Sequence, residues 1–358
     1  MSNARNLANL LGTGTQITTA DIADGAFQAN KNLIINGAMQ VAQRSSGPIT
    51  VSDNSNEGFS TLDRWYLNFN AGPGGALDFS QSTDAPDGFA SSVKLACSTA
   101  DASHTGTEQI YLTHYMEAQN LQQFGYGSSS AKSMTISWYM KAVNFTGPIS
   151  LALETIDGTQ EYYVVSKNPT SSWARYSVTI PGSSSATVNN DNGKGLSVKF
   201  VVAGDSSGTF AAASDSTAWS TTRKDYRNDI GNLVSSTSNE FYITGVQLEV
   251  GSQATPFEHR SYGDELLRCQ RYYQINYATW YGVTQASGYF VSSNITYKPD
   301  LRAAPAVAQK SFSSGSGGRF TSTGATNSTI NGTTIYSSPS SAGGNSGYLA
   351  TWSADAEL

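Results

Sequence analysis

The sequence predicts a mainly β chain, made of an extended N-terminal arm, a jelly-roll-type β-sandwich, one short connecting helix and a small C-terminal β domain. Three observations lead to this prediction. Apolar and polar residues alternate with a period of two over most of the chain. Clusters of Gly, Pro, Asn, Asp and Ser separate the alternating segments. The composition has 34 Gly among 358 residues, only 13% charged residues and abundant Ser and Thr, which favours strands and turns over helices.

Residues 1–31 are predicted to form an attachment arm. They are small and polar, and Gly12, Gly14 and Gly25 interrupt any long helix. Such a segment cannot build a hydrophobic core by itself, so we expect another chain to order it. The apolar side chains available for that contact are Leu7, Leu10, Leu11, Ile17 and Ile22.

Residues 32–260 are predicted to form the sandwich, because their alternation is that of strands with one buried face. Trp65, Trp138 and Trp173 are assigned to packing. Within residues 240–250 the apolar phase shifts by one position at Gly245, which predicts a β-bulge. The predicted strands are residues 61–69, 92–97, 133–142, 149–156, 161–165, 173–180, 195–203 and 240–250.

Residues 261–274 are predicted to form the linking helix. Ser261 is a suitable N-cap, and Asp264 and Glu265 follow in the first turn, where negative charge is favourable. A stripe at helical spacing is expected to be buried, and it consists of Tyr262, Leu266, Cys269 and Tyr273.

Residues 275–358 are predicted to form the C-terminal β domain, whose first strand begins within the helix region. This part is either a small, loop-rich β domain or an edge that needs neighbouring chains. The expected strands are residues 271–279, 288–297, 304–311, 332–337 and 347–354.

Charge and cysteine content exclude several classes of function. The net charge is -6, and no block of Lys or Arg occurs, so neither nucleic acid nor a membrane surface is an expected partner. Cys97 and Cys269 lie far apart without a C-x-x-C pattern, and we interpret both as buried hydrophobic residues. We find no membrane span or export signal, so membrane insertion is not expected.

Catalytic motifs are scarce, and we do not expect an enzyme. Residues 204–208, Gly-Asp-Ser-Ser-Gly, fit the form of a nucleophile elbow, but the residues after them lack the apolar stripe of the required helix. We therefore interpret the motif as a tight turn. A pair of carboxylates for glycoside hydrolysis stays open, because sequence does not reveal their separation.

No cofactor is expected, with the possible exception of a structural calcium ion. The chain has only 3 His, and none shows the spacing of a metal site. Asp84 and Asp87 are weak calcium candidates because they lie in a loop, although Asp is also a common turn former.

Aromatic residues, at 11%, are the remaining functional signal. Sugars pack their C–H groups on aromatic faces and place their hydroxyls against polar side chains. Trp280 and Tyr281 precede Gly282 in a segment expected to be an exposed loop. The candidate glycan-binding residues are Trp280, Tyr281, Tyr289 and Trp352.

Several segments resemble virion fibre proteins of tailed bacteriophages, notably marine ones. The opening of the sandwich carries the first resemblance, with NLIINGAMQVAQR at residues 32–44 and LDRW at residues 62–65. Residues 254–273, ATPFEHRSYGDELLRCQRYY, are similar to the segment that closes that domain and begins a C-terminal β domain. Residues 301–307, LRAAPAV, resemble a strand of the same C-terminal unit, and residues 1–31 resemble the N-terminal arm of such fibre proteins.

The resemblance implies a virion component, a tail fibre or related appendage, with a jelly-roll domain of carbohydrate-binding type. Such proteins are usually homotrimers, and the arm would attach this one to other tail or capsid proteins. The protein would be made in the host cytoplasm and located in the virion. The chain has no repetitive shaft, which leaves a capsid or tail decoration open.

Three functions follow from these observations. The first is an adhesin that binds a host-surface polysaccharide through its β domains. The second is a purely structural decoration or connector protein. The third, which we consider the weakest, is a polysaccharide-degrading enzyme.

Overall fold

The computed structural model describes residues 30–284, 289–315, 317–341 and 343–358. The attachment residues proposed for the arm, between Leu7 and Ile22, lie outside this part of the chain. Within it, no helix is both long enough and apolar enough to cross a membrane.

Two antiparallel sheets form a β-sandwich, as the alternation predicted. The six-stranded sheet has the order β1 (Ile49–Val51), β3 (Ala76–Ser82), β4 (Ser92–Thr99), β13 (Glu240–Val250), β6 (Met134–Val143) and β9 (Ala174–Ile180). The five-stranded sheet has the order β2 (Tyr66–Asn70), β5 (Gln109–Glu117), β10 (Lys194–Gly204), β7 (Ile149–Thr155) and β8 (Tyr162–Lys167). The chain repeatedly switches between the sheets, as in a jelly roll.

The core of the sandwich lies between the two sheets. Trp65 and Trp138 are buried there, and both rings approach Phe200, at centroid distances of 6.4 Å and 5.5 Å. The assignment of these two residues to packing is confirmed. Trp173 also packs, but outside this core: its half-exposed ring meets Tyr242 at 6.2 Å on the outer face of the six-stranded sheet, because it precedes β9 in the phase that faces solvent.

The predicted β-bulge is present. The register of β13 against β6 shifts between Thr244 and Gln247, and Gly245 adopts φ +60. A Cβ at Gly245 would lie 2.7 Å from the ring of Phe89 and 2.8 Å from that of Tyr139. Both the backbone conformation and the close approach therefore require glycine.

The linking helix runs from Tyr262 to Gln270, so the predicted extent of residues 261–274 was too long: Tyr273 already begins the strand β14 (Tyr273–Val283). Ser261 is its N-cap, and the Ser261 hydroxyl accepts a hydrogen bond of 3.1 Å from the backbone N–H of Asp264. The prediction of a buried Tyr262 was wrong, since this ring is 57% exposed. Glu265 is buried instead, because it accepts a hydrogen bond from the backbone N–H of Asn36 and forms an ion pair with Arg260 at 3.4 Å.

Two three-stranded sheets follow the helix. One has the order β14 (Tyr273–Val283), β19 (Asn345–Asp355) and β16 (Ala306–Ser314), and the other β15 (Val291–Thr296), β18 (Gly332–Ser337) and β17 (Gly324–Thr326). Their buried residues form a hydrophobic cluster separate from that of the sandwich. The sandwich and the two sheets after the helix therefore have separate hydrophobic cores, and the domain boundaries at residues 31, 260 and 274 stay predictions.

Buried ion pairs join the end of the chain to the sandwich. Arg64 is fully buried, forms an ion pair with Glu357 and lies 3.6 Å from the centroid of the Tyr272 ring. Arg44 pairs with Asp355 at 2.9 Å and with Glu357 at 3.4 Å. The C-terminal residues are therefore docked on the opening segment of the sandwich.

The two cysteines, Cys97 and Cys269, are free and buried. This confirms their interpretation as small hydrophobic residues. Burial, reinforced by the nearby charges of Asp63 and Glu265, raises the pKa of the Cys269 thiol well above its usual value.

Candidate functional site

The outer face of the five-stranded sheet carries the candidate site. Residues 205–232, here called the covering segment, include the short parallel strands β11 (Ala211–Ala212) and β12 (Tyr226–Arg227). They pack on one half of this face, where Tyr226 contacts Tyr111 and Val201. We call the remaining part the open half-face; its outward side chains are Tyr66, Tyr115, Glu154, Lys194, Ser197 and Lys199.

A buried charge network lies where the open half-face meets the covering segment. The ammonium group of Lys199 lies 2.7 Å from a carboxylate oxygen of Glu154 and 3.2 Å from one of Asp225. Asp225 also pairs with Arg223 at 2.7 Å and accepts a hydrogen bond of 3.0 Å from Gln109. Each charged group of this network therefore has a partner of opposite sign.

The electrostatics keep this network ionised. Burial opposes ionisation of Asp225, but the charges of Lys199 and Arg223 outweigh burial, so the pKa of Asp225 lies below its usual value. Burial likewise opposes the charge of Lys199, and Asp225 and Glu154 outweigh it, so the pKa of Lys199 is raised. Clusters of perturbed ionisable groups are typical of functional sites, although structural ion pairs perturb pKa values too.

Aromatic rings lie on the same face beside the network. The Nζ atom of Lys194 lies 4.0 Å from the centroid of the Tyr115 ring. The Tyr66 ring meets Tyr115 edge-on at 6.2 Å, and Phe59 meets Tyr66 at 5.2 Å. Burial lowers the pKa of Lys194, and among the described residues no carboxylate lies within ion-pair distance of its ammonium group.

An unsatisfied hydroxyl lies between the rings and the charges. Ser197 is opposite Tyr115 on one side and Glu154 on the other. Its side chain is fully buried, and its Oγ atom has no hydrogen-bond partner within the described chain. An unpaired buried hydroxyl costs about 1–3 kcal/mol, so a bound hydroxyl group at this point would be stabilised.

This arrangement fits a polyhydroxylated ligand. The faces of Tyr66 and Tyr115 offer surfaces for C–H groups, while Glu154, Lys194 and Ser197 offer acceptors and donors for hydroxyls. A glycosidase would need a carboxylic acid with a raised pKa. Asp225 does not meet that need, since it is buried and its pKa is lowered.

The four predicted glycan-binding residues do not lie on one surface: two are exposed and two pack in the C-terminal core. Trp280 and Tyr281 lie in β14, not in a loop, and so face opposite sides of the sheet. Tyr281 is 68% exposed and Tyr289 is 63% exposed. Trp280 packs at 5.6 Å against Phe320 in the C-terminal core, where Trp352 is also buried.

The predictions for Trp280 and Trp352 were therefore wrong, because the inward phase of β14 and β19 turns both indoles toward the core. The strand β14 extends beyond residue 279, where the predicted strand ended. It pairs with β19 along its whole length, up to Val283 opposite Asn345.

The weak calcium candidates lie in the expected loop. One carboxylate oxygen of Asp84 accepts a hydrogen bond from Lys141, and the other accepts one of 2.9 Å from the indole N–H of Trp173. Neither Asp84 nor Asp87 belongs to a group of three potential metal ligands in the described part of the chain. A calcium ion there stays a prediction without support from these contacts.

The Gly-Asp-Ser-Ser-Gly motif forms a turn, as interpreted. The Asp205 carboxylate accepts hydrogen bonds of 2.8 Å from both the backbone N–H and the hydroxyl of Ser207. The backbone N–H of Gly208 donates to the carbonyl of Asp205 at 2.9 Å. The strand β11 follows where a nucleophile elbow would require a helix.

Comparison with known proteins gives only distant likenesses. No family model matches the sequence. No curated protein matches it either.

Among solved structures, a family 4 carbohydrate-binding module shares 14% identity at a TM-score of 0.32, over 60% of this chain and 97% of the module. A C-terminal family 22 carbohydrate-binding module of Clostridium thermocellum Xyn10B shares 14% identity at 0.31, over 64% and 99%. The enzymatically active domain of bacteriophage CBA120 tailspike protein 4 shares 11% identity at 0.31, over 62% of this chain but only 21% of that one. Likenesses this weak carry no argument about function.

Proposed function

We propose that the protein binds a glycan on the open half-face of the five-stranded sheet. One observation carries the proposal: the half-exposed rings of Tyr66 and Tyr115 lie beside the unpaired Ser197 hydroxyl and the polar groups of Glu154 and Lys194. A sugar ring would replace Lys194 on the Tyr115 face, and its hydroxyls would reach Ser197 and Glu154. Displacing Lys194 breaks no ion pair in the described chain, so it costs only the free energy of its contact with the Tyr115 ring.

We further propose that the glycan belongs to a bacterial cell surface and that the protein is an appendage of a tailed bacteriophage. The support is the resemblance at residues 32–44, 62–65, 254–273 and 301–307. In this proposal residues 1–31 attach the chain to other virion proteins. A homotrimer would present several copies of the site, so weak single-site affinity would be strengthened by effective concentration.

The test compares Tyr115→Ala with a matched control, Tyr262→Ala, whose ring is exposed on the linking helix. Both full-length variants and the original chain are assayed on intact host cells and on a panel of bacterial surface polysaccharides, with product release measured in the same wells. We expect Tyr115→Ala to weaken binding about tenfold, because loss of one aromatic stacking surface removes about 1.4 kcal/mol. We expect no effect from Tyr262→Ala and no product release. Unchanged binding by a folded Tyr115→Ala variant contradicts the proposal.

A purely structural role is the second candidate, and one observation favours it. The outer face of the β14–β19–β16 sheet exposes an apolar stripe of Tyr277, Tyr281, Val283 and Leu349. Such stripes are typical of subunit contacts. Failure of the chain and its variants to bind any glycan, together with a change of oligomeric state in Leu349→Ser, would favour this function.

A further inference from the structure

The second sheet of the C-terminal unit carries an aromatic platform on its outer face. A Cβ at Gly324 would lie 2.6 Å from Cζ of Tyr336 and 2.7 Å from its hydroxyl oxygen, so the phenol end of the ring rests directly on the glycine backbone. Gly324 does not adopt a positive φ, which means that the ring, not the backbone conformation, is what requires glycine here. The Tyr336 side chain is nevertheless partly exposed.

The ring of Phe290 stands beside the ring of Tyr336. Its ring is 70% exposed, lies 5.4 Å from the Tyr336 centroid and is inclined at 83° to it. The two rings and the residues Ala325 and Thr326 line a shallow groove of about 410 Å³. A perpendicular pair of this kind offers one ring face and one ring edge to the same ligand.

Polar side chains continue the groove along the strands. In the next outward row, the hydroxyl of Thr334 donates a hydrogen bond of 2.9 Å to Oδ1 of Asn294. Among the described residues, no hydrogen bond engages the side-chain amide nitrogen of Asn294. A second shallow groove, of about 340 Å³, begins at this pair, and its lining includes Thr296, Asn327, Thr329 and Asn331.

The lining of both grooves is uncharged. It consists of Asn, Thr, Gly, Ala and Ile side chains with the two aromatic rings. Such a surface provides hydrogen bonds but no counter-charge for a carboxylate or phosphate, so it suits a neutral ligand. In this respect it differs from the open half-face, where Glu154, Lys194 and Lys199 are charged.

We propose that this outer face of the β15–β18–β17 sheet is a second glycan-binding site, specific for neutral polysaccharides. One sugar ring stacks on Tyr336 against Phe290, and the next extends over Asn294 and Thr334, which donate and accept hydrogen bonds with its hydroxyls. The site is independent of the open half-face, because it lies on another sheet and shares no residue with it.

The decisive variant keeps every aromatic ring. Gly324→Ala adds one methyl group beneath Tyr336 and pushes the ring away from the strand. The control Gly263→Ala adds the same group in the linking helix, where the nearest atom is 4.0 Å away. Tyr336→Ala removes the stacking ring, and Asn294→Ala removes the side-chain amide but leaves both rings in place. Each is made in the full-length chain, and circular dichroism and urea unfolding verify its fold.

Binding is measured by affinity electrophoresis in gels that contain a neutral polysaccharide, namely β-glucan, mannan or galactan, or the acidic polysaccharide alginate. We expect retardation by at least one neutral polymer and a loss of affinity of about tenfold in Tyr336→Ala and Gly324→Ala. We expect a smaller loss in Asn294→Ala and none in Gly263→Ala.

Tyr115→Ala separates the two sites, since it should leave retardation by the neutral polymer unchanged. The proposal is overturned if no neutral polymer retards the chain, if alginate competes as well as the neutral polymer, or if folded Gly324→Ala and Asn294→Ala variants bind like the original chain.

Discussion

The charge of Arg64 is predicted to hold the end of the chain on the sandwich, and Arg64→Met tests this. Arg64 is fully buried, and Glu357, its partner, is nearly so. The Arg64 guanidinium also donates a hydrogen bond of 2.5 Å to the carbonyl of Tyr115 and stacks on Tyr272. Methionine keeps the apolar stem of the side chain but removes the charge, so Glu357 retains only Arg44, at 3.4 Å.

The expected magnitude follows from these contacts. Removing one partner of a buried ion pair costs about 3–5 kcal/mol when the other charge is left alone. Because Arg44 still pairs with Glu357, we place Arg64→Met near the lower limit, at about 3 kcal/mol. The double variant Arg64→Met/Glu357→Gln leaves neither charge unpaired, and we expect it to lose less than the sum of the two single variants, by about 2 kcal/mol.

Urea unfolding of the original chain, both single variants and the double variant measures this coupling. Lys310→Met is the control, because Lys310 lies on the surface of β16 and such substitutions usually change stability by less than about 0.5 kcal/mol. A coupling energy below about 0.5 kcal/mol would refute the reasoning, since residues without mutual interaction are additive within that limit. Equal stability of Arg64→Met and Lys310→Met would refute it as well.

Three further predictions concern stability and reactivity. Gly245→Ala should destabilise the protein by about 1–3 kcal/mol more than Gly88→Ala in urea unfolding, since both have positive φ but only Gly245 is crowded by rings; equal losses would contradict this. Burial raises the pKa of Asp63 to about 6, so the folded chain binds this proton more tightly than the unfolded chain does. Its contribution to stability should therefore fall as pH rises from about 4 to about 6, and unfolding curves in which Asp63→Asn leaves the pH dependence unchanged would contradict that assignment. Cys97 and Cys269 should resist a thiol reagent at pH 8 until the chain unfolds, because burial raises both thiol pKa values; rapid labelling of the folded chain would be the opposite result.

Local features of the fold were predictable because each depends on neighbouring residues. The bulge at Gly245 follows from a phase shift within one strand, and the N-cap at Ser261 from the residues beside it. The strand β5 was not predicted, although it is central to the five-stranded sheet. All of its residues except Tyr115 are buried, so it shows no alternation of exposed and buried positions.

The candidate site could not be predicted because register, not sequence spacing, assembles it. Tyr66, Tyr115 and Glu154 come from three strands, and Lys194 and Ser197 from a fourth. The pairing that places Ser197 between Tyr115 and Glu154 is a property of the sheet, and no local pattern encodes it. The aromatic residues of the C-terminal part were predicted to form one binding surface, but the inward phase of β14 and β19 separates Trp280 and Trp352 from the exposed Tyr281.

The two proposed sites differ in charge, so they would select different glycans. The open half-face holds Lys194 without a carboxylate partner in the described chain, so salt should weaken any contact it makes with an acidic sugar. The groove at Tyr336 and Phe290 is uncharged, so its contacts should be insensitive to salt. A surface that carries both acidic and neutral polysaccharides would engage both sites at once, and the joint affinity would exceed either alone through effective concentration. Discrimination between surfaces would then depend on the combination of glycans, because a surface that lacks one of them loses the whole gain from joint binding.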